Sequence, residues 1–118
     1  MTASSDHFLL ICSRCQGKEL AIALGDALAP RLPPGFTIRS VDCMAGCDHP
    51  ISVGFQAIGK AQYLFGDIDH QGDVDALSAF AQQYKRSVDG WTNATDRPSA
   101  LLDKTLARLP RLCSESQA

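Results

Sequence analysis

A long hydrophobic run is missing from this 118-residue sequence. The longest apolar stretch near the start, Phe8–Ile11, follows the polar segment Met1–Asp6. It is too short and wrongly flanked for a signal peptide or a membrane span. The expected compartment is therefore the reducing cytoplasm, with no membrane partner. An excess of basic charge is missing too: 11 Lys and Arg against 13 Asp and Glu leave a formal charge of −2 and a pI near 5.8. Without a basic footprint, nucleic acid is not an expected partner. No glycine-rich phosphate loop follows any strand-like run, and Ser4, Ser5 and Ser13 have no His/Asp setting that would make one of them a nucleophile. Asp67, Asp69, Asp73 and Asp75 have the composition of a calcium loop but lack the glycine and glutamate that complete one. Capping of a helix is the simpler account of them. Internal repeats and low-complexity stretches are also lacking. No catalytic residue emerges, and an enzyme is not the expected class.

Cysteine, by contrast, is present in a pattern. Four of the five cysteines fall in two tight pairs, Cys12/Cys15 as C-S-R-C and Cys43/Cys47 as C-M-A-G-C. Four closely spaced thiolates are soft ligands suited to tetrahedral zinc or to an iron–sulfur cluster. In a reducing compartment, paired cysteines serve metals or redox chemistry more often than structural disulfides. Cys113 stands apart beside the polar tail Ser114–Ala118 and is taken as incidental. The sequon Asn93–Ala94–Thr95 is without consequence in a chain that is not secreted.

Each pair follows a strand-like run. Phe8–Ile11 is continuously apolar, as in a strand buried on both faces, and Phe36–Val41 precedes the second pair. If those strands lie side by side, their ends bring four sulfurs to one edge of a sheet. Between them, Lys18–Leu32 carries Leu20, Leu24, Ala27, Leu28 and Leu32 at helical spacing, closed by Pro30 and Pro33–Pro34–Gly35. Ile51–Phe55 and Gln62–Gly66 read as a β-hairpin around Gly59–Lys60. Val74, Leu77, Ala81, Tyr84 and Val88 then form the stripe of a long helix, with Asp73 and Asp75 near its start and Lys85 and Arg86 near its end, as the helix dipole favours. Past Gly90, a connector at Trp91–Thr95 leads to Pro98 and a shorter helix marked by Leu101, Leu102, Thr105, Leu106 and Leu109, ended by Pro110. With 45% apolar residues, the length fits one compact α/β domain.

This order, β-α-β followed by a hairpin and a helix, is that of a thioredoxin-like sheet with an appended C-terminal helix. The segment Cys43–Val53, a C-x-x-x-C followed three residues on by Pro50 and a strand, resembles the second ligand pair of thioredoxin-like [2Fe-2S] ferredoxins and of the related module of NADH dehydrogenases. The stretch from Phe8 to about Val88, including Tyr63–Asp67, more closely resembles a bacterial family of small uncharacterised proteins described as predicted metal-binding. The C-S-R-C spacing is tighter than the first pair usual in those ferredoxins, yet a short spacing can still chelate one iron.

The resemblance implies a metal- or cluster-binding domain over residues 1–90, with a connector, C-terminal helix and polar tail over 91–118. It implies a [2Fe-2S] cluster on Cys12, Cys15, Cys43 and Cys47, one-electron transfer or redox sensing with a redox partner protein, and a homodimer. Ala45, Gly46 and Gly17 would let backbone amides approach sulfur, and Arg14 and Lys18 would steer an acidic partner. Two alternatives use the same residues. One is a structural four-cysteine zinc site in a binding module. The other is thiol–disulfide exchange at C-S-R-C, with His49–Pro50 in the cis-proline position of thioredoxin-like folds, which leaves Cys43 and Cys47 without a role. His49 is a candidate for proton-coupled chemistry or for replacing a thiolate, although a solvent-facing loop histidine is the simpler account; His7 and His70 have weaker cases. Asp42 and Asp48 flank the second pair as turn or capping residues, since hard carboxylates suit a soft site poorly.

Overall fold

The computed structural model describes residues 7–12, 18–41, 51–68, 71–92 and 96–110. Along the chain these form strand β1 (His7–Cys12), helix α1 (Lys18–Leu28) with a 3-10 turn at Ala29–Arg31, β2 (Phe36–Val41), β3 (Val53–Ala57), β4 (Gln62–Phe65), helix α2 (Gln71–Arg86), the one-turn helix α3 (Ser99–Leu102) and β5 (Thr105–Leu109). The five strands make one mixed sheet in the order β2-β1-β3-β4-β5. β1 runs parallel to β2, with Leu9 opposite Ile38 and Cys12 opposite Val41. The β1–β3, β3–β4 and β4–β5 pairings are antiparallel.

The period-two alternation of each strand sorts its residues onto two faces. Leu9, Ile11, Val53, Phe55, Tyr63 and Phe65 point to one face and are buried there. Both long helices cover that face. α1 contributes Ala21, Leu24 and Leu28, and α2 contributes Val74, Leu77, Phe80, Ala81 and Tyr84, all in the same apolar cluster. α1 packs over β1 and β2 at Gly25, where a Cβ would sit in ordinary contact, 3.7 Å from the side chains of both Ile11 and Ile38. The centre of the cluster is aromatic. The Phe80 ring meets Phe55, Tyr63 and Phe65 at 4.9, 4.9 and 5.1 Å, edge to face, an arrangement that the ring quadrupoles favour.

The strands and long helices follow the sequence pattern, with three differences. The first helix ends at Leu28 instead of Leu32, because Pro30 lacks the N–H that an α-helical turn needs and fits the tighter 3-10 turn. α2 ends at Arg86, so Val88 lies beyond it and is 90% exposed instead of completing the stripe. The third is a correction of architecture. The expected helix through Leu109 is a single turn, and Thr105–Leu109 is a fifth strand that pairs with β4 across an irregularity at Leu64/Phe65. The end of the chain therefore supplies a sheet edge and not an appended helix.

The end of the sheet at the β3–β4 turn is tightly closed. Lys60 places its ammonium on the carbonyls of Tyr84 and Lys85, at 2.7 and 3.1 Å, and so caps the C-terminus of α2. The Tyr84 hydroxyl donates to the Ala61 carbonyl at 2.6 Å. The Tyr63 hydroxyl donates to the Gly90 carbonyl at 2.8 Å and accepts from the Thr92 N–H at 2.9 Å. Gly90 has φ +76°, and a Cβ there would lie 2.8 Å from the backbone nitrogen of Ala61. Only glycine combines that backbone conformation with so close an approach.

Candidate functional site

The opposite end of the sheet is where the cysteine pairs originate. Cys12 is the last residue of β1 and is 1% exposed, between the buried strand residues Ile11 and Val53. Its N–H donates to the carbonyl of Ser52 at 3.0 Å, extending the β1–β3 ladder one step beyond Ile11↔Val53. Across the parallel pairing, Cys12 faces Val41, the last residue of β2, and Cys43 follows two residues later in sequence. Further across, the Ile68 N–H donates to Ile51 at 3.2 Å, and the Gly66 N–H donates to Lys104 at 2.9 Å. One sheet edge thus gathers the ends of β1, β2 and β4 and the starts of β3 and β5.

Cys15, Cys43 and Cys47 lie outside the described residues, as do Cys113, His49, His70, Arg14, Asp42 and Asp48. Among the described residues no group of three or more His, Cys, Asp or Glu is placed to hold a metal ion. Cys12 is the described member of the predicted set. His7, at the far end of β1, is buried against the rings of Phe36 and Tyr84 at 5.2 and 5.9 Å, and so belongs to the core.

Two of the aspartates suggested as helix caps make ion pairs. Asp73 is buried in the first turn of α2 and pairs with the Lys104 ammonium at 2.8 Å. Lys104 also donates to the Asp67 carbonyl at 2.6 Å, where the chain turns with φ +57°. One ammonium thereby ties the start of β5 to the end of β4 and to the N-terminus of α2. Sequence reasoning missed this residue, because 31 positions separate it from Asp73 and no local pattern links them. Asp75, on the surface, accepts from the Arg31 guanidinium at 2.6 Å, which holds its carboxyl below the usual carboxylate range with help from Gln71. Burial pushes the Tyr84 phenol above its ordinary value, and neighbouring Tyr63 adds to the shift.

A mixed sheet with two helices on one face, and a cysteine ending an interior strand beside a parallel neighbour, defines an α/β protein. The chain belongs to the family described as protein of unknown function (DUF1636), whose model matches residues 9–111. No curated protein and no solved structure matches it. No helix among the described residues is long and apolar enough to cross a membrane.

Proposed function

We propose that this protein is a cytoplasmic one-electron carrier or redox sensor, built on a thioredoxin-like sheet, that holds a [2Fe-2S] cluster on Cys12, Cys15, Cys43 and Cys47. The observation that carries the proposal is the parallel register of β1 and β2, which sets Cys12 opposite Val41. Three peptide steps of about 3.8 Å separate Cys12 from Cys15 in the chain, and two separate Val41 from Cys43. The strands that precede the two pairs in sequence therefore end side by side. The donor set suits the group, since four thiolates are the usual ligands of such a cluster. When bound, the cluster supplies a single-electron couple. The chain supplies the anchoring: the bond from Cys12 to Ser52 fixes the strand end, where Cys12 itself is buried.

The strand order β2-β1-β3-β4, with β1 parallel to β2 and antiparallel to β3, supports the thioredoxin-like assignment. On this proposal residues 1–90 carry the site, and β5 completes the far edge of the sheet. Arg14 and Lys18, beside the first pair in sequence, would favour an acidic redox partner protein. Thiol–disulfide exchange is disfavoured by the burial of Cys12, because an attacking thiolate must be accessible.

Anaerobic purification of the full chain tests the proposal. The expected product is brown-red, carries about two irons and about two sulfides per chain, and gives a rhombic electron paramagnetic resonance signal after dithionite. Cys113→Ser should leave that content unchanged, and Cys12→Ser should abolish it. A colourless protein with one tightly held zinc would overturn electron transfer in favour of a zinc-stabilised binding module. A metal-free folded protein that reduces insulin disulfides would favour thiol exchange.

A further inference from the structure

Just past α2, two arginines converge on one backbone oxygen. The Arg97 guanidinium donates through Nη1 to the Thr92 carbonyl at 3.3 Å and to the Thr92 hydroxyl at 3.4 Å. The Arg108 guanidinium, on β5, donates through its own Nη1 to the same carbonyl at 2.9 Å and stacks on the Trp91 ring at 3.6 Å. Thr92 is buried and pinned: the Tyr63 hydroxyl accepts from its N–H at 2.9 Å, and Arg97 lies over the Tyr63 ring at 5.8 Å. Among the described residues neither guanidinium has a carboxylate within ion-pair distance. The Asp89 carboxylate accepts instead from the Trp91 N–H at 3.0 Å, and Asp96, next to Arg97 in sequence, forms no ion pair with it. The Arg97 Nε is buried and has no hydrogen-bond partner among the described residues. Such an orphaned donor calls for an explanation.

We infer that Arg97 and Arg108 bind an oxyanion, a carboxylate or a phosphate, between their guanidinium groups beside Trp91. A guanidinium is all donors and no acceptor, so each fork keeps N–H groups beyond those it spends on Thr92. Two such cations held side by side repel, and an anion between them removes the repulsion and gains charge-assisted bonds to both. The span is suitable: the two Nη1 atoms share one acceptor, so they are at most about 6 Å apart, and a single oxyanion bridges that with bonds of about 2.8 Å on each side. Both arginines are in place before any ligand arrives, Arg97 on Thr92 and the Tyr63 ring, Arg108 on Thr92 and the Trp91 ring. Little side-chain freedom is then lost on binding. The fold itself is closed without the anion, by the Tyr63 bonds to Gly90 and Thr92. Trp91 is 46% exposed, so the site is open to solvent. Arg108 pairs with Tyr63 near the start of β4, at the end of the sheet away from Cys12, and the inference is independent of what the cysteines bind.

Trp91 is the one tryptophan of the chain, so its fluorescence reports on the site directly. Inorganic phosphate and citrate are titrated separately into the full chain, with sodium chloride holding the ionic strength fixed. A saturable change is expected with at least one of them: phosphate alone for a phosphate site, citrate alone for a carboxylate site, both for a site that reads only the shared charge. Arg97→Gln and Arg108→Gln, measured by calorimetry, should each weaken that binding by about tenfold or more, and Arg39→Gln on β2 should leave it unchanged. Circular dichroism shows whether each variant is folded. Arginine modification by phenylglyoxal gives a reading that needs no variant. The bound anion should protect Arg97 and Arg108, but not the exposed Arg39, as read by peptide mass spectrometry. A fluorescence change that follows ionic strength without saturating, binding that survives both substitutions, or equal protection of all three arginines would overturn the proposal.

Discussion

The two ends of the sheet are built on different principles. At the β3–β4 turn, side chains close the structure against its own backbone: Lys60 on the last carbonyls of α2, Tyr84 on Ala61, Tyr63 on Gly90 and Thr92. At the cysteine end the described bonds include backbone pairs, Cys12 to Ser52 and Ile68 to Ile51, with side-chain ties from Lys104 to Asp67 and Asp73 and from Thr105 to Leu101. The first end needs nothing from outside the chain. The second offers strand ends and the buried Cys12, and on the proposed function it is the end where a bound group is held. On the proposed function, stability and function occupy opposite ends, joined by the aromatic centre at Phe55 and Phe80.

The largest test of that contrast falls on the centre. Phe80→Ala removes a ring that meets four others and should cost about 4 kcal/mol in denaturant unfolding. A cost below about 1 kcal/mol would mean that the aromatic cluster does not hold the ends together. Next comes Lys104→Met, which keeps the bulk but leaves the Asp73 carboxylate without its ammonium; a loss of about 3 kcal/mol is expected. If that variant unfolds like the wild type, the cysteine end is held by other means. Gly90→Ala should cost about 2 kcal/mol, since it forces alanine into a left-handed conformation against Ala61. Iron content per folded molecule should not change, and a parallel loss of iron would show that the two ends are not separate.

The smallest effect is one of pH. The folded protein holds the Tyr84 phenol above its ordinary value of 10.0. Below that value both folded and unfolded chains carry the proton, and stability is unaffected. Above it the unfolded chain loses the proton first, so stability falls as pH rises toward the folded value. Tyr84→Phe should cost about 1 kcal/mol at neutral pH through the lost bond to Ala61 and should flatten this alkaline decline. Unfolding midpoints measured from pH 8 to pH 11 would reveal a variant that declines as steeply as the wild type, contrary to expectation.

Much of this was legible in the sequence, for physical reasons. Phe8–Ile11 and Phe36–Val41 are apolar or β-branched runs bounded by turn residues, and both are strands. Val74, Leu77, Ala81 and Tyr84 recur at helical spacing and share one buried face. Thr105–Leu109 was not legible. Leu102, Leu106 and Leu109 also satisfy a helical period, and leucine and alanine favour helix, so only pairing with β4 decides for strand. The Lys104–Asp73 tie was hidden because it is made by the fold. The cysteine pairs were visible from spacing alone; the register adds that the strands leading to them are parallel neighbours.

The central claim is met most directly by native mass spectrometry of the full chain purified without oxygen. The expected mass excess per chain is that of two irons and two sulfides, retained in Cys113→Ser and lost in Cys12→Ser and Cys43→Ser while both remain folded by circular dichroism. A chain mass with no excess, with zinc alone, or with an iron–sulfur excess that survives loss of Cys12 and of Cys43 would contradict it.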